Sequence, residues 1–565
     1  MISIFKKNYF LLLIITLAIL LRLTLLSSVP VGFNDDEAAF GYNAYSILKT
    51  GRDEWGRFLP FPVFESFGDW KLIGYLYPTV VSQMIFGTNE LATRLPSVVF
   101  GVLAIISAHL LAGKLFNRRV GLVAALLLAV SPWHIAASRN AFESDILIFF
   151  ITCAAFLFLK GLDQSKYFKF SFFLFILSFY IYRSAWLFVP LFFASLLFIY
   201  RIQIKKQRKL IATLIIISLI LLIPLVPSVL TFKGQSRFFQ ESFITGVTSR
   251  GIVDDVNEQR GFCSRDISPT ICKTIYNKYN YFALTYANNY FSNLSPQTYY
   301  AKGNQTGYQS FPDRGLFYAF ELPLLIAGLI ILLKRRDKNS QVLITWLLIV
   351  PLGASLTGIG NPGRLNILMP APQIIEALGF TSILFALRSR TVKTAFIILS
   401  ALVVASSLSR LIADTFFKFP QMSARYQRYG YKELFTYIEN ERKNYSEVIV
   451  SRKGDDAKQY IHYLFSQRYD PQKYLTTIGN HRYRGQDSWI RVNQIENIKF
   501  MPAAPNVEIL PGASLLVISH NEVQYPLQPI FIVYDFRQDP LYEVYETDNL
   551  KKAVEEQKAK DSIDD

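Results

Sequence analysis

Cysteine is nearly missing from this chain of 565 residues, with three in all, and histidine is scarce, with five. So few thiols exclude a disulfide scaffold and a cysteine-built metal centre, and neither the histidines nor the scattered acids show metal-ligand spacing. No metal and no cofactor is expected. A nucleotide-binding fingerprint is also lacking. The nearest run, Gly358-Ile359-Gly360-Asn361-Pro362-Gly363-Arg364, follows no strand and opens no charged helix start. No small-residue cleavage site follows the first apolar run, and Arg22 interrupts its end, so the run is expected to remain as a first span. Internal repeats are absent, which argues against the paired halves of a transporter.

What the chain has in abundance is apolar sequence, 51% of its residues, gathered into long runs such as Phe10 to Leu21, Leu210 to Val226 and Leu322 to Leu333. A helix crossing hydrocarbon needs about 20 mostly apolar residues, because its backbone groups find partners only within the segment. Such runs predict eleven spans, near residues 10–29, 95–116, 120–137, 144–161, 167–182, 185–201, 210–230, 318–333, 341–357, 365–387 and 392–412. The formal charge of +17 falls mostly between them, at Lys6-Lys7, Arg118-Arg119, Lys205-Lys206, Arg208-Lys209, Lys334-Arg335-Arg336, Arg388 and Arg390. Basic residues in short connections follow the positive-inside rule and do not form a nucleic-acid surface. The expected topology has the N-terminus in the cytoplasm and the C-terminus outside, in a cell (plasma) membrane whose lipids surround the spans.

Two polar segments fall outside in this topology, Pro30 to Arg94 and Thr231 to Phe317, both too long for simple turns. In the first, Asp35 to Leu48 and Trp70 to Ile85 read as amphipathic stretches lying along the membrane surface. The second holds Cys263 and Cys272, which either close a short loop as a disulfide or remain two free thiols. It also carries a Tyr- and Asn-rich run from Tyr276 to Tyr300 suited to a sugar- or acceptor-facing surface. Residues 1–412 therefore read as a polytopic α-helical membrane domain. Residues 413–565 have soluble composition and predict a small α/β domain, with helices at Tyr431–Glu441 and Asp456–Arg468 and strands at Glu447–Ser451, Ser514–Ser519 and Pro529–Tyr534. The charged end from Lys551 to Asp565 reads as frayed.

The sharpest chemical feature is Asn34-Asp35-Asp36-Glu37, directly after the first span. Asn34 and Glu37 have capping-box spacing, and acids favour a helix start, so capping accounts for one or two of them. Three consecutive acids at a membrane interface leave one spare, and a shielded carboxylate can serve as a general base. A second cluster, Ser66 to Pro78, places Asp69 and Lys71 together. Lys71 suits a phosphate, and a snorkelling lysine paired with Asp69 is the plainer alternative. A third, Ser131-Pro132-Trp133-His134 with Arg139, Glu143 and Asp145, suits an anionic headgroup or, more simply, an interfacial anchor with Trp133 in the aromatic belt. Arg364 follows the glycine-rich outer turn, where it invites an anionic partner.

Taken in order, FNDDEAAFGYNAY, GDWKLIGYLYP, NELATRLPSVVFG and SPWHIAASRNAFESD resemble the GT-C superfamily of glycosyltransferases, in the branch of protein O-mannosyltransferases and aminoarabinose transferases of lipid A. The resemblance covers residues 1–230 well and the later spans loosely. It implies a donor sugar on a polyprenyl phosphate, an acceptor hydroxyl on protein, lipid or glycan, and transfer with inversion on the extracytoplasmic side. It also implies Asp36 and Glu37 as the family's catalytic Asp-Glu pair with Asp36 the base, and Lys71, Arg139 and Arg364 as groups on the donor phosphate. Asp35, Asp69, Glu143 and Asp145 are supporting candidates. The aminoarabinose branch has a carboxylate directly before its lysine, where this chain has Trp70. A transporter or flippase of lipid-linked sugars is the alternative, and a non-catalytic sugar-binding membrane protein a third reading.

Overall fold

The computed structural model describes residues 2–230, 250–303, 310–311, 314–424, 427–453, 458–477, 479–485 and 489–564. From the N-terminus its helices run α1 (Ile2–Leu23), α2 (Asp35–Thr50), α3 (Leu76–Phe86), α4 (Glu90–Leu115), α5 (Arg118–Val130), α6 (Pro132–Ala137), α7 (Glu143–Gly161), α8 (Lys166–Phe179) and α9 (Ala185–Ile199). The chain divides into two compact units, Met1–Thr24 with Ser97–Ala413, and Leu25–Pro96 with Asp414–Asp565.

The first unit is helical throughout its apolar runs. Each of the eleven expected segments falls mainly on helix. Among the described residues, Glu90–Leu115, Glu143–Gly161, Arg201–Ser228, Lys338–Thr357 and Arg390–Ser423 are long and apolar enough to cross a membrane. Pro362–Leu368 and Ala371–Ala386, bent by 48°, make a sixth if taken as one span. Length and composition thus support five or six crossings where eleven were expected; Ala185–Ile199 and Asn8–Leu23 are apolar but shorter. Lipid gives little hydrophobic drive for helices to associate, so close backbone approach matters more. The helices Glu321–Arg335 and Ala371–Ala386 achieve it through glycine: a Cβ on Gly328 would lie 2.1 Å from the Ile375 carbonyl oxygen, and one on Gly379 2.2 Å from that of Leu324. Cys263 and Cys272 are joined as a disulfide, their Cα atoms 5.8 Å apart.

In the second unit, Val63–Ser66 (β1) and Asp69–Leu72 (β2) pair antiparallel. This replaces the start of the amphipathic stretch expected from Trp70, and only Leu76–Phe86 of that stretch is helix. The reason is the turn at Phe67 and Gly68, with φ of +42° and +86°, a left-handed pair that suits a two-residue hairpin connection. Beyond the last apolar helix come β3 (Glu447–Ser451), β4 (Arg482–Arg484), β5 (Ile490–Val492), β6 (Gln494–Ile495), β7 (Ile498–Met501), β8 (Ser514–Ser519), β9 (Phe531–Tyr534) and β10 (Pro540–Glu546). Six form a sheet ordered β6-β7-β3-β8-β10-β9, with β3 parallel to both neighbours and the remaining pairs antiparallel.

Alternation along the strands divides the apolar residues between two faces. Val448, Val450, Leu515 and Val517 pack with Leu434, Phe435, Ile461 and Leu464 of the helices Tyr431–Glu441 and Gln459–Ser466, and with Ala38, Ala39 and Tyr42 of α2. Ile449, Leu516 and Ile518 face the other way, toward Val507, Leu510 and Leu550. The three strands and the helix Tyr431–Glu441 stand where the sequence places them, and the expected start of the next helix at Asp456 lies outside the described residues. The end of the chain is not frayed as expected but forms the helix Thr547–Asp564. Leu550 anchors it by filling the second core, an apolar contact hidden among the charges.

A valine at Gly379 is expected to separate the helices Glu321–Arg335 and Ala371–Ala386 at a cost of about 1–3 kcal/mol or more. Gly113→Ala is the control, since nothing lies within 4 Å of a Cβ there. A lower unfolding midpoint for Gly379→Val alone is the expected result, and equal midpoints would contradict the packing.

Candidate active site

Leaving the last turn of α1, the chain must enter α2 with its first N–H groups satisfied. Asn34 is the cap: its Oδ1 accepts from the Glu37 N–H at 3.0 Å, and its own N–H donates to Glu37 Oε2 at 3.1 Å. This is the capping box expected from the spacing. Glu37 does more than cap. Its two oxygens receive Arg94 Nε and Nη2 at 2.8 and 2.9 Å, both side chains being fully buried. The same guanidinium donates to the carbonyls of Leu26, Pro30 and Gly32 at 3.1, 3.0 and 2.7 Å. One ion pair therefore holds the whole turn into α2, and removing one partner of such a pair costs several kcal/mol.

Asp35 is held differently. Arg428 grips it with Nε and Nη2 at 3.1 and 3.2 Å, His462 Nε2 donates at 2.9 Å, and Lys458 Nζ lies 3.4 Å away. Burial opposes its charge, but the hydrogen bond from His462 and the charges of Arg428 and Lys458 outweigh that, holding the carboxyl well below the usual range.

Asp36 is the most exposed of the three, its side chain 23% accessible against 11% for Asp35 and none for Glu37. Its Oδ1 stands 2.6 Å from Lys71 Nζ, which is also 2.8 Å from Asp69 Oδ2. Asp69 and Lys71 sit two apart on β2, so the pleat puts both on one face. The ammonium also lies 5.7 and 5.4 Å from the rings of Phe40 and Phe67. The hairpin bearing it is tied down at its tip, where Phe67 N–H donates to Tyr460 Oη at 3.2 Å and Ile490 N–H to the Phe67 carbonyl at 3.0 Å. Asp36, Asp69 and Lys71 thus form one cluster with a single accessible carboxylate. The pairing of Lys71 with Asp69 read from the sequence is present, with Asp36 as a further partner.

The remaining sequence candidates lie in the first unit. Arg139 donates through Nη1 and Nη2 to the carbonyls of Leu21, Arg22 and Thr24 at 2.9, 3.1 and 2.8 Å, closing the end of α1. Arg22 enters the same segment, with Nη2 2.8 Å from His134 Nδ1 and Nε 3.0 Å from Ser138 Oγ. Trp133 is fully buried against Tyr299 and Phe317 and so is not a lipid-facing belt residue. Glu143 and Asp145 are buried in the first turn of α7, and Asn366 Nδ2 donates to Asp145 Oδ1 at 2.7 Å. Arg364, partly exposed, donates through Nη1 to the Thr357 carbonyl at 3.2 Å. Among the described residues no group of three or more His, Cys, Asp or Glu is placed to hold a metal ion.

Four residues of the second unit's network were not singled out from the sequence. Arg94 was visible only as part of the phrase NELATRLPSVVFG, whereas Arg428, Lys458 and His462 lie almost 400 residues or more from Asp35 and carry no local signal. Glu54 was missed as well. Buried beside Asp53 and Glu65, with its N–H donating to Asn43 Oδ1 at 2.9 Å, it is pushed up to about 7 by burial.

Residues 73–227 match the family described as dolichyl-phosphate-mannose-protein mannosyltransferase. Among solved structures, ArnT from Cupriavidus metallidurans bound to undecaprenyl phosphate is similar over 95% of this chain and 98% of its own, at 12% identity and a TM-score of 0.52. Its apo form gives 0.51 over the same shares. An Archaeoglobus fulgidus oligosaccharyltransferase tethered with an acceptor peptide gives 0.51 at 15% identity, over 82% of this chain. The chain spans 64% of that oligosaccharyltransferase's length. No curated protein sequence matches. The GT-C resemblance carried by the motifs thus recurs in the family match and in the fold.

An acid whose folded pKa is raised penalises its own ionised form, so stability is highest below the unfolded value and falls as pH climbs to the folded one. For Glu54 that window runs from about pH 4.5 to about 7, with a loss on the order of 3 kcal/mol. Glu54→Gln should remove this slope. Unfolding midpoints of the two proteins should diverge in favour of the variant between pH 5 and 7.5, and parallel curves would exclude the assignment.

Proposed function

We propose that this chain is a membrane glycosyltransferase that moves a sugar from a polyprenyl-phosphate carrier to an acceptor hydroxyl, with Asp36 as general base. The observation that carries the reading is the cluster itself: an accessible carboxylate against a buried ammonium, immediately beyond the first apolar helix. The family match and the fold support the class. A carrier with a long polyprenyl tail stays in the bilayer, so its sugar must be met at the membrane surface, where α2 and the hairpin begin and end close to apolar helices in the sequence.

In this mechanism the acceptor oxygen attacks the anomeric carbon from the face opposite the phosphate. The bond from that carbon to the phosphate oxygen breaks, its electron pair leaves with the carrier phosphate, and Asp36 takes the hydroxyl proton, so the configuration inverts. Lys71 offsets the charge that collects on the departing phosphate, an effect of about 3 kcal/mol for a well-placed group. Glu37, the second acid of the pair, sets the position of Asp36 through Arg94. Arg139 and Arg364 are further phosphate-binding candidates, and Asp35, Asp69, Glu143 and Asp145 are supporting ones. We place the N-terminus in the cytoplasm of a cell membrane and the C-terminal domain outside it. A reporter fused after Asp565 should then behave as exported, and a cytoplasmic readout would overturn this placement.

Asp36→Asn keeps the shape of the side chain and removes its basic oxygen, so turnover should fall by roughly 10²- to 10⁴-fold with donor binding little changed. Lys71→Ala should weaken donor binding as well as slow transfer, because the ammonium meets the phosphate before and during the reaction. Arg364→Ala should raise the donor KM in the same assay. Folded Asp36→Asn protein with near-normal turnover of labelled polyprenyl-phosphate sugars would remove Asp36 as the base.

A further inference from the structure

Apart from the Asp36 cluster, the second unit holds a cleft of about 710 Å³ between the segment Ser27–Phe33 and the helix Tyr431–Glu441 with β9. That volume lies within the about 300–1,000 Å³ usual for small-ligand sites. Its lining is rich in aromatic side chains, among them Tyr437 stacked on Phe531 with ring centroids 4.0 Å apart and Tyr429 tilted against Phe536 at 4.7 Å. Phe536 is 45% exposed. The same lining carries groups that donate and accept hydrogen bonds, Thr436, Asn440, Glu433 and Lys432, the last paired with Glu90 at 2.6 Å.

We propose that this cleft binds a saccharide. Flat apolar rings interleaved with polar groups match a sugar, whose C–H faces stack on aromatics while its hydroxyls both donate and accept. The charges argue the same way. Glu90 and Glu433 balance Arg428 and Lys432, so the lining selects neither a phosphate nor a polyanion. The lining includes Arg428 and His462, two of the side chains that hold Asp35. Arg428 keeps its place with a φ of +54°, a left-handed conformation that non-glycine residues adopt only when their surroundings hold them there. A saccharide in the cleft thereby rests on the groups that hold the residue next to Asp36. This binding does not rest on the function proposed for Asp36.

The test is calorimetric titration of the full chain in lipid nanodiscs with mannotriose, maltotriose and triacetylchitotriose, without donor. At least one should bind, with Asn440→Ala and Phe536→Ala each weakening it by about tenfold and Asp36→Asn leaving it unchanged. Both altered residues are at the surface, and unfolding midpoints equal to wild type establish that the variants are folded; Asn440→Ala serves alone if Phe536→Ala is not. No binding by any of the three, or binding that both variants leave intact, overturns the proposal. So does a Ser/Thr-rich peptide that binds and is lost in the same two variants, since the cleft is then a peptide site. Saccharide binding together with normal turnover by Asp36→Asn would leave the cleft standing and remove the transfer mechanism instead.

Discussion

The second unit depends first on the buried pair of Glu37 and Arg94. A guanidinium has five N–H donors and no way to shed its charge, so a buried arginine must find acceptors on every side. Arg94 finds two on Glu37 and three on the carbonyls of Leu26, Pro30 and Gly32. Those contacts fix the chain between the first apolar helix and α2, and with it the direction in which the next carboxylate points. The cost of burying both charges is offset only because every strong partner is in place.

Three adjacent acids consequently have three different environments. Glu37 is sealed and serves architecture. Asp35 is sealed by a different set of cations, drawn from residues beyond position 420. Asp36 alone retains access to solvent while resting against Lys71. Helical geometry turns successive residues by about 100°, so neighbours in sequence necessarily face different surroundings. The proposed chemistry uses the one that faces outward.

The same economy recurs in the α/β part of the second unit. Its central strands bury both faces, one against α2 and two helices, the other against the C-terminal helix and the segment around Val507. The first core joins α2 and the hairpin turn at Phe67 to the sheet, so the acids of α2 and the lysine of β2 are held by a sheet that begins about 400 residues later in the chain. The cleft lined by Tyr437 and Phe531 is bounded by the helix Tyr431–Glu441 and the edge strand β9.

Much of this was legible in the sequence because it depends on local pattern. Long apolar runs located the apolar helices, short ones located β3, β8 and β9, and the spacing of Asn34 and Glu37 specified a capping box, since each of these signals joins residues within one helix or one strand. Asp36, Lys71 and Asp69 were legible as residues of the right kind. Their meeting was not. The hairpin that brings Lys71 to Asp36 turns on a left-handed phenylalanine that no composition announces, and the partners of Asp35 come from Arg428, Lys458 and His462, whose order along the chain says nothing about distance. Local periodicity determined which segments are helix or strand and which carboxylates stand at a helix start. Only the tertiary structure decided which of them is buried against a cation and which is left accessible, because burial and pairing depend on every element that packs around a group.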